Sequence, residues 1–482
     1  MRDAAVFHIL AWAGLTLSAF TVCYAAPATP RRLPRLQVSE NGRFLVTEQG
    51  RPFFWLGDTA WWLRRLPPDD VDAYMDTRVR HAFNVIQVHH GYDVADYAGN
   101  RPFVGDDTDK PNEAFWDYTD AIVTKARDHG LYIALVPMWG QEYAKAFRGD
   151  APKARRFGQW LARRYAGLSH VLWIVSGEYD AINGFRLPIS DAQKSVLNAM
   201  AQGLRDVHQG AQLMTIHPGA ARTSSLDFHQ EPWLDLNMLQ SGHMVDCEAY
   251  RNAENHTLIA HDYALTPTKP VLDGEPIYED TPDGIWVRRD PSRPRAGAAA
   301  VRRKAYWAVF AGACGHTYGH NDVYGFFEPP QPGFVESLPQ GPGRRGSWRV
   351  ALDAPGATQM KHVRHLIESR PFLTRIPDPS LVAGEPLGGL DHVVATRADD
   401  GSYAMIYIPT GKPVRVAMQK LMGRRLKAWW FDPGSGSAKP AGQYPSGGEV
   451  EFTPPTSGGD QDWVLVLDTA AKRYPAPGHT PR

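Results

Sequence analysis

The stretch VLWIVSGEYD, Val171 to Asp180, decides how the chain folds. Val171, Leu172, Trp173, Ile174 and Val175 are β-formers with no polar alternation, the pattern of a strand buried on both faces. Ser176-Gly177 lets the chain leave the sheet, and Glu178 stands just past the strand's C-terminal end. KPVLDGEPIYED, Lys269 to Asp280, has the same shape: Val271-Leu272 runs into Asp273-Gly274 and sets Glu275 at a strand end. In a (β/α)8 barrel that rim carries the chemistry. The fold then turns on whether the strands around these two number eight.

Working outward, they do. Val38 to Glu40, Asn41-Gly42 and Phe44 to Val46 predict a hairpin with a two-residue turn. Phe53 to Leu56 is the first buried strand and ends at Gly57-Asp58. Pro67-Pro68-Asp69 opens a helix, and Phe83 to His90 is the second strand. A helix over Pro111 to His129 stops at Gly130. Leu131 to Trp139 is the third strand, and a helix carrying Phe157, Trp160, Leu161, Tyr165 and Leu168 leads into Val171. Ser190-Asp191 caps a helix over Ala192 to His208. The fifth strand ends at His217, and the sixth, Leu234 to His243, follows a weakly marked crossover. A helix near Ala249 to Leu265 precedes the strand with Glu275. After an Ala-rich helix, Ala296 to Ala311, the eighth strand runs from Cys314 to Tyr318. A last helix lies near Met360 to Ser369. Eight strands separated by helices predict parallel pairing and a closed TIM barrel over residues 36–377. After Pro371 the helical periodicity stops. His392 to Thr396, Tyr403 to Ile408, Val414 to Ala417, Lys427 to Phe431, Glu449 to Thr453 and Trp463 to Leu467 predict a small antiparallel β-sandwich over 378–469. Residues 470–482 form a polar, Pro-rich tail expected to fray.

Composition bounds the partners. Basic and acidic residues balance at 52 each, without a charged tract, which argues against nucleic acid and against an anionic membrane surface. The 15 Trp and 19 Tyr suit either a large core or a sugar-stacking cleft. Arg2, the apolar run Ala4 to Val22 and the small pair Ala25-Ala26 form a signal-peptide pattern with cleavage after Ala25. The alternative is an uncleaved anchor. Residues 26–35 read as a linker. This places the protein outside the cytoplasm, secreted or periplasmic, with no stable membrane insertion after cleavage. Of the remaining cysteines, Cys247 and Cys314 either pair or are two buried thiols. The oligomeric state is left open.

Two carboxylates flanking one bond are the equipment of glycoside cleavage: one donates a proton to the leaving oxygen, the other attacks the anomeric carbon. GRPFFWLGDTAWW, FNVIQVHH, VPMWG, VLWIVSGEYD, TIHPGA, LDGEPIYE and GHTYGHNDVY, in this order, resemble the apiosidase-like glycoside hydrolases, whose catalytic domain is often followed by a β-domain of collagen-binding type. The resemblance covers Leu36 to Asp468. It also places the chain near the large clan of retaining glycosidases, which implies Glu178 as acid/base and Glu275 as nucleophile, a carbohydrate substrate and no cofactor. Apiosidase members carry an aspartate at the strand-four acid position. Here Glu178 is one methylene longer and Asp180 lies close by, so the acid is Glu178 or Asp180.

Other residues at strand ends are candidates for holding substrate: Asp58, Trp61, His90, Trp139, Asp180, His217, His243, Tyr318, His320 and Asn321. Asp58, with Trp61 and Trp62 behind it, either binds sugar hydroxyls or caps the next helix. Trp139 either faces the cleft or fills the core. Histidines at His217, His243, His316 and His320 can donate to sugar oxygens or to the carboxylates. Tyr278, Tyr318 and Asn321 are possible partners of Glu275. His316-x-x-x-His320 has metal-ligand spacing, but the H-E-x-x-H helix signature is absent and Gly315 and Gly319 disfavour a helix, so no metal is expected. Two rival functions stand beside apiose release: a glycosidase for another furanose or pyranose, and a non-catalytic carbohydrate or matrix binder.

Overall fold

The computed structural model describes residues 32–91, 94–181, 187–243, 254–284, 290, 292–329 and 343–479. The leader, Cys247, and the first part of the helix expected from Ala249 lie outside them.

Strands β1 (Leu36–Val38), β2 (Leu45–Thr47) and β3 (Pro52–Phe53) make a small antiparallel sheet at the start of the chain. Phe53 therefore belongs to this sheet, and the first inner strand is β4 (Trp55–Thr59). The other predicted inner strands become β5 (Val85–His89), β6 (Tyr132–Val136), β7 (Val171–Ile174), β8 (Met214–Thr215), β10 (Asn237–Gln240), β11 (Val271–Asp273) and β12 (Gly315–Tyr318). With β4 they form eight parallel strands of one curled sheet, and β4 pairs with both β5 and β12. A ninth strand, β9 (Arg222–Thr223), runs antiparallel against β10.

The expectation of a closed barrel is met as far as a curled sheet of eight parallel strands, and the ninth strand stands where the closing ladder would run. It occupies the edge of β10 that would face β8, so no ladder joins β8 to β10. Three bonds cross this seam instead. Asp235 N–H donates to Met214 O at 3.0 Å, the Asp235 carboxylate accepts Met214 N–H at 2.7 Å, and Thr215 Oγ1–H donates to Leu236 O at 2.8 Å.

Helices α1 (Pro68–Arg80), α2 (Glu113–His129), α3 (Gly140–Phe147), α4 (Ala151–Arg164) and α5 (Asp191–His208) alternate with the strands. Their ends follow local chemistry. Pro68 opens α1 with Asp69 and Asp70 in its first turn. Ser190 and Gln193 close a reciprocal cap on α5. Gly130 ends α2 at φ 80°, a conformation costly for any residue with a β-carbon. After these come α6 (Ser225–Phe228), α7 (Asn255–Tyr263), α8 (Ala298–Phe310), α9 (Trp348–Ala351) and α10 (Pro355–Glu368). Alternation along the strands sorts the layers. Ile86, Val88, Ile133, Leu135, Val171 and Trp173 pack with Tyr74, Trp116, Phe157 and Met200 of the helices. Val85, Ala134, Val136, Leu172 and Ile174 face the sheet's concave side with Trp55, Met238 and Leu272.

The C-terminal region is two antiparallel sheets. One comprises β13 (Arg375–Pro377), β15 (Val394–Ala398), β16 (Tyr403–Ile408), β21 (Trp463–Thr469), β18 (Arg425–Phe431) and β19 (Ala438–Pro445). The other comprises β14 (Val382–Ala383), β17 (Val414–Ala417) and β20 (Glu449–Phe452). The larger sheet begins at Arg375, three residues before the expected boundary at Asp378. Its central strands β16 and β21 are buried on both faces. Tyr403, Met405, Tyr407, Val464 and Val466 join the core of the curled sheet and its helices, while Ala404, Ile406, Ile408, Leu465 and Leu467 face the smaller sheet. Arg302 of α8 binds Asp462 with both branches buried, and Arg370 does the same with Asp468. Part of the tail lies against the preceding region. Arg370 lies over the Tyr474 ring at 4.9 Å, and Gly478 N–H donates to Ser369 Oγ at 3.3 Å. Cys314 is a free, buried thiol, pushed up to about 12 by burial. No described helix is long and apolar enough to cross a membrane.

Candidate active site

Glu275 leaves β11 buried among donors. Its Oε1 accepts Tyr278 OH at 2.6 Å and His243 Nε2 at 2.8 Å, and His217 Nε2 stands 3.0 Å from Oε2. Trp61 Nε1–H donates to Tyr278 OH at 3.0 Å, extending the chain of donors one residue back. Burial alone would raise the Glu275 carboxyl, but the hydrogen bonds and charges of His217 and His243 outweigh it and hold the group well below the usual carboxylate range. Burial works against a charged His217 too, yet the adjacent Glu275 raises it. His243 has φ 68°, a left-handed conformation that directs its ring at Glu275.

Glu178 follows β7 through Gly177 and is also left-handed, at φ 37°. Its Oε2 accepts Trp139 Nε1–H at 3.0 Å and its Oε1 accepts Gln240 Nε2–H at 3.2 Å. Loss of water and the nearby negative charge of Glu275 raise this carboxyl above its ordinary value, the two N–H donors opposing. Trp139 meets Trp61 edge-on at 5.2 Å and His217 at 6.0 Å, so the surroundings of the two glutamates are continuous. One carboxyl is thus pushed toward its protonated form and the other held as an anion, the division of labour that acid-assisted displacement needs.

Among the residues singled out from sequence, Trp61, Trp139, His217 and His243 converge on these two glutamates. Asp180 does not: Gly219 N–H donates to its Oδ1 at 2.6 Å and Arg222 Nε stands 2.8 Å from its Oδ2, all buried. Asp58 and Tyr318 are register partners on β4 and β12. Asp58 is sealed against α1, where it accepts Arg78 Nε–H at 2.7 Å and Tyr74 OH at 2.5 Å, so it neither reaches the cleft nor caps a helix. Tyr318 OH donates to Glu279 Oε2 at 2.6 Å rather than to Glu275, and Glu279 in turn accepts Gly356 N–H at the start of α10. His90 packs on Trp116 and Thr119 of α2, on the helix side of its strand. Each of the three has the wrong parity, since successive side chains of a strand point to opposite faces. His320 Nδ1 accepts Asp322 N–H at 3.0 Å. His320 lines a cavity of about 760 Å³ with Asp280, Asp322, Arg295 and Arg345, and neither Glu178 nor Glu275 borders it. Asn321 is buried and donates its backbone N–H to Glu279 O.

The parity that removes His90 brings in His89. Its Nε2 stands 2.8 Å from Glu142 Oε2, and its ring lies 5.1 Å from that of Trp139. Glu142 Oε2 also accepts Trp139 N–H at 2.7 Å. Burial opposes its charge, but His89 and this bond hold it at about 2. Tyr324, 5.3 Å from Tyr278, completes the wall. Adjacency to His90 was the one local signal for His89, and the run gave no phase to choose between the two. Nothing local marked Glu142 or Gln240. Among the described residues no group of three His, Cys, Asp or Glu side chains could hold a metal ion.

Comparison with known proteins bears on this geometry. The family described as "Apiosidase-like, catalytic domain" matches residues 39–374, and "Putative collagen-binding domain of a collagenase" matches 376–468. A solved structure named "Glycoside hydrolase" is 33% identical with a TM-score of 0.82, covering 92% of this chain and 98% of its own. A family 5 glycoside hydrolase from Bacteroides vulgatus is also 33% identical, TM-score 0.83, covering 92% and 96%. A structure from the same organism named "putative glycoside hydrolase", 15% identical with a TM-score of 0.60 over 92% and 84%, shares the fold. No curated protein matches. With the catalytic-domain match spanning well over half of its length, the chain belongs to the apiosidase-like glycoside hydrolases.

Proposed function

We propose that this enzyme is a secreted retaining glycosidase that cleaves plant or bacterial polysaccharide by double displacement. The observation carrying the reading is the opposed state of two carboxyls at the ends of the fourth and seventh parallel strands: Glu275 held as an anion by His217 and His243, Glu178 pushed toward protonation. Glu275 attacks the anomeric carbon while Glu178 protonates the leaving oxygen. Glu178 then takes a proton from the water that releases the sugar from Glu275. The burial of Asp180 on Arg222 favours Glu178 as the acid. The leader pattern of residues 1–25 supports export. The seam bonds from Asp235 and Thr215 support reading the curled sheet as a closed barrel.

Azide with activated aryl glycosides tests this directly, after a panel of aryl glycosides and pectic oligosaccharides has identified a substrate. Glu275→Ala should lose turnover on every substrate, and azide should enter the vacated face and give a product of inverted configuration. Glu178→Ala should lose about 10²–10⁴-fold on substrates with poor leaving groups, with azide restoring turnover and giving retained product. An inverted product from the unmodified enzyme would overturn the double displacement.

A further inference from the structure

We propose that Trp139 is a positioning residue of this site: its indole N–H aims the Glu178 carboxyl and sets its protonation, with Gly177 and Glu142 as the contacts that lock the ring. The inference rests on Glu178 being the acid.

The indole is held on several sides. A β-carbon at Gly177 would stand 2.2 Å from both Cε3 and Cζ3 of Trp139, so the ring packs directly against the Gly177 α-carbon. Gly177 is not among the left-handed glycines, so what the position demands is space and not conformational freedom. Gly177 N–H donates to Met138 O at 3.0 Å, and Trp139 and Gly177 form an isolated parallel bridge, fixing the two strand ends side by side. At the other end Glu142 Oε2 accepts Trp139 N–H, and His89 faces the same oxygen. Trp61, His89 and His217 border the ring at 5.2, 5.1 and 6.0 Å.

The one polar atom of that ring is directed at Glu178 Oε2, at 3.0 Å. A donor there favours the carboxylate over the acid. It therefore opposes the burial and the Glu275 charge that push Glu178 toward its protonated form. Trp139 is partly exposed, so the rival role is a stacking platform for sugar. The two roles separate cleanly, because stacking needs the ring face and positioning needs the N–H.

Trp139→Phe keeps the face and loses the N–H. The infrared band of the protonated carboxyl, followed against pH, gives a readout that requires no substrate; the component absent from Glu178→Gln belongs to Glu178. In Trp139→Phe its midpoint should rise by about one pH unit, since a hydrogen bond to a charged group is worth about that much. The basic limb of kcat/KM on a substrate with a poor leaving group, which needs the acid, should move up with it while KM holds. Gly177→Ala, checked as folded by circular dichroism, should displace the indole and give the same shift. An unmoved midpoint in both variants would overturn the proposal, as would a raised KM with an unmoved profile. A moved midpoint combined with no azide rescue of Glu178→Ala would retain the coupling of Trp139 to Glu178 and overturn the assignment of Glu178 as acid.

Discussion

His217 and Glu275 oppose each other at 3.0 Å, Nε2 to Oε2, and each holds the other in its charged form. In His217→Gln that support is lost, the Glu275 carboxyl rises, and a larger share of it is protonated in mild acid. Because attack needs the anion, the acid limb of kcat/KM should move to higher pH. Activity at the optimum should fall about 10–100-fold, the scale of one charge-assisted hydrogen bond. A pH–rate profile checks both. An acid limb that stays in place would mean that His243 and Tyr278 suffice to hold Glu275 ionised.

Asp180 offers the sharpest contrast with its near neighbour Glu178. It is buried against Arg222 and the Gly219 amide, so its replacement is a stability event. Asp180→Asn weakens that pairing, although Arg222 retains Asp227 at 2.8 Å. The expected cost is about 1–3 kcal/mol of stability, with kcat on the folded enzyme changed only a few-fold. Denaturant unfolding and kinetics on the same preparation check it. A folded Asp180→Asn that lost about 10²–10⁴-fold would make Asp180 the acid.

Eight strands and two strand-end glutamates were legible because several strands are apolar runs buried on both faces, with no alternation to confuse, and because a glycine lies shortly after most strand ends. Which side chain at a strand end faces the site was less legible. Asp58, His90 and Tyr318 each sit one residue out of phase with the inward face, so their chemistry is spent on Arg78, Trp116 and Glu279. A run with no polar alternation gives no phase, and only the neighbouring strands supply it. The seam at β9 was hidden for a related reason. Arg222–Thr223 is too short to announce a strand, and its pairing with β10 is tertiary. β19 escaped because its residues, AKPAGQYP, are largely exposed and lack apolar periodicity.

The C-terminal sheets are welded to the catalytic domain and should not behave as a detachable module. One apolar cluster runs from Tyr306 and Phe310 into Met405, Tyr407, Val464 and Val466. Tyr306 stacks on Tyr407 at 4.9 Å. Removing residues 378–482 would expose this face and strand Arg302 and Arg370 without Asp462 and Asp468. The truncated chain is expected to aggregate or melt far below the full chain. Asp462→Ala should cost about 3–5 kcal/mol, the scale of a buried pair that loses one partner, and calorimetry should record one transition for the full chain. Two separated transitions would show that the regions fold independently.

Glu178 itself should be a place where function is held at the expense of stability. It combines a left-handed backbone at φ 37°, loss of water, and the charge of Glu275 nearby. The sign follows from linkage. A carboxyl raised on folding costs nothing at pH values where it is protonated in both states. The cost appears above its unfolded value and is complete once pH passes its folded value. Glu178→Gln removes the charge and keeps the size, so its melting temperature should match the unmodified enzyme in acid and exceed it increasingly toward neutral pH, then level off. On poor leaving groups the same variant should lose about 10²–10⁴-fold. Thermal denaturation across pH checks the first half and kinetics the second. A variant equally or less stable at every pH would mean that the donors Trp139 and Gln240 fully offset both the burial of Glu178 and the repulsion from Glu275.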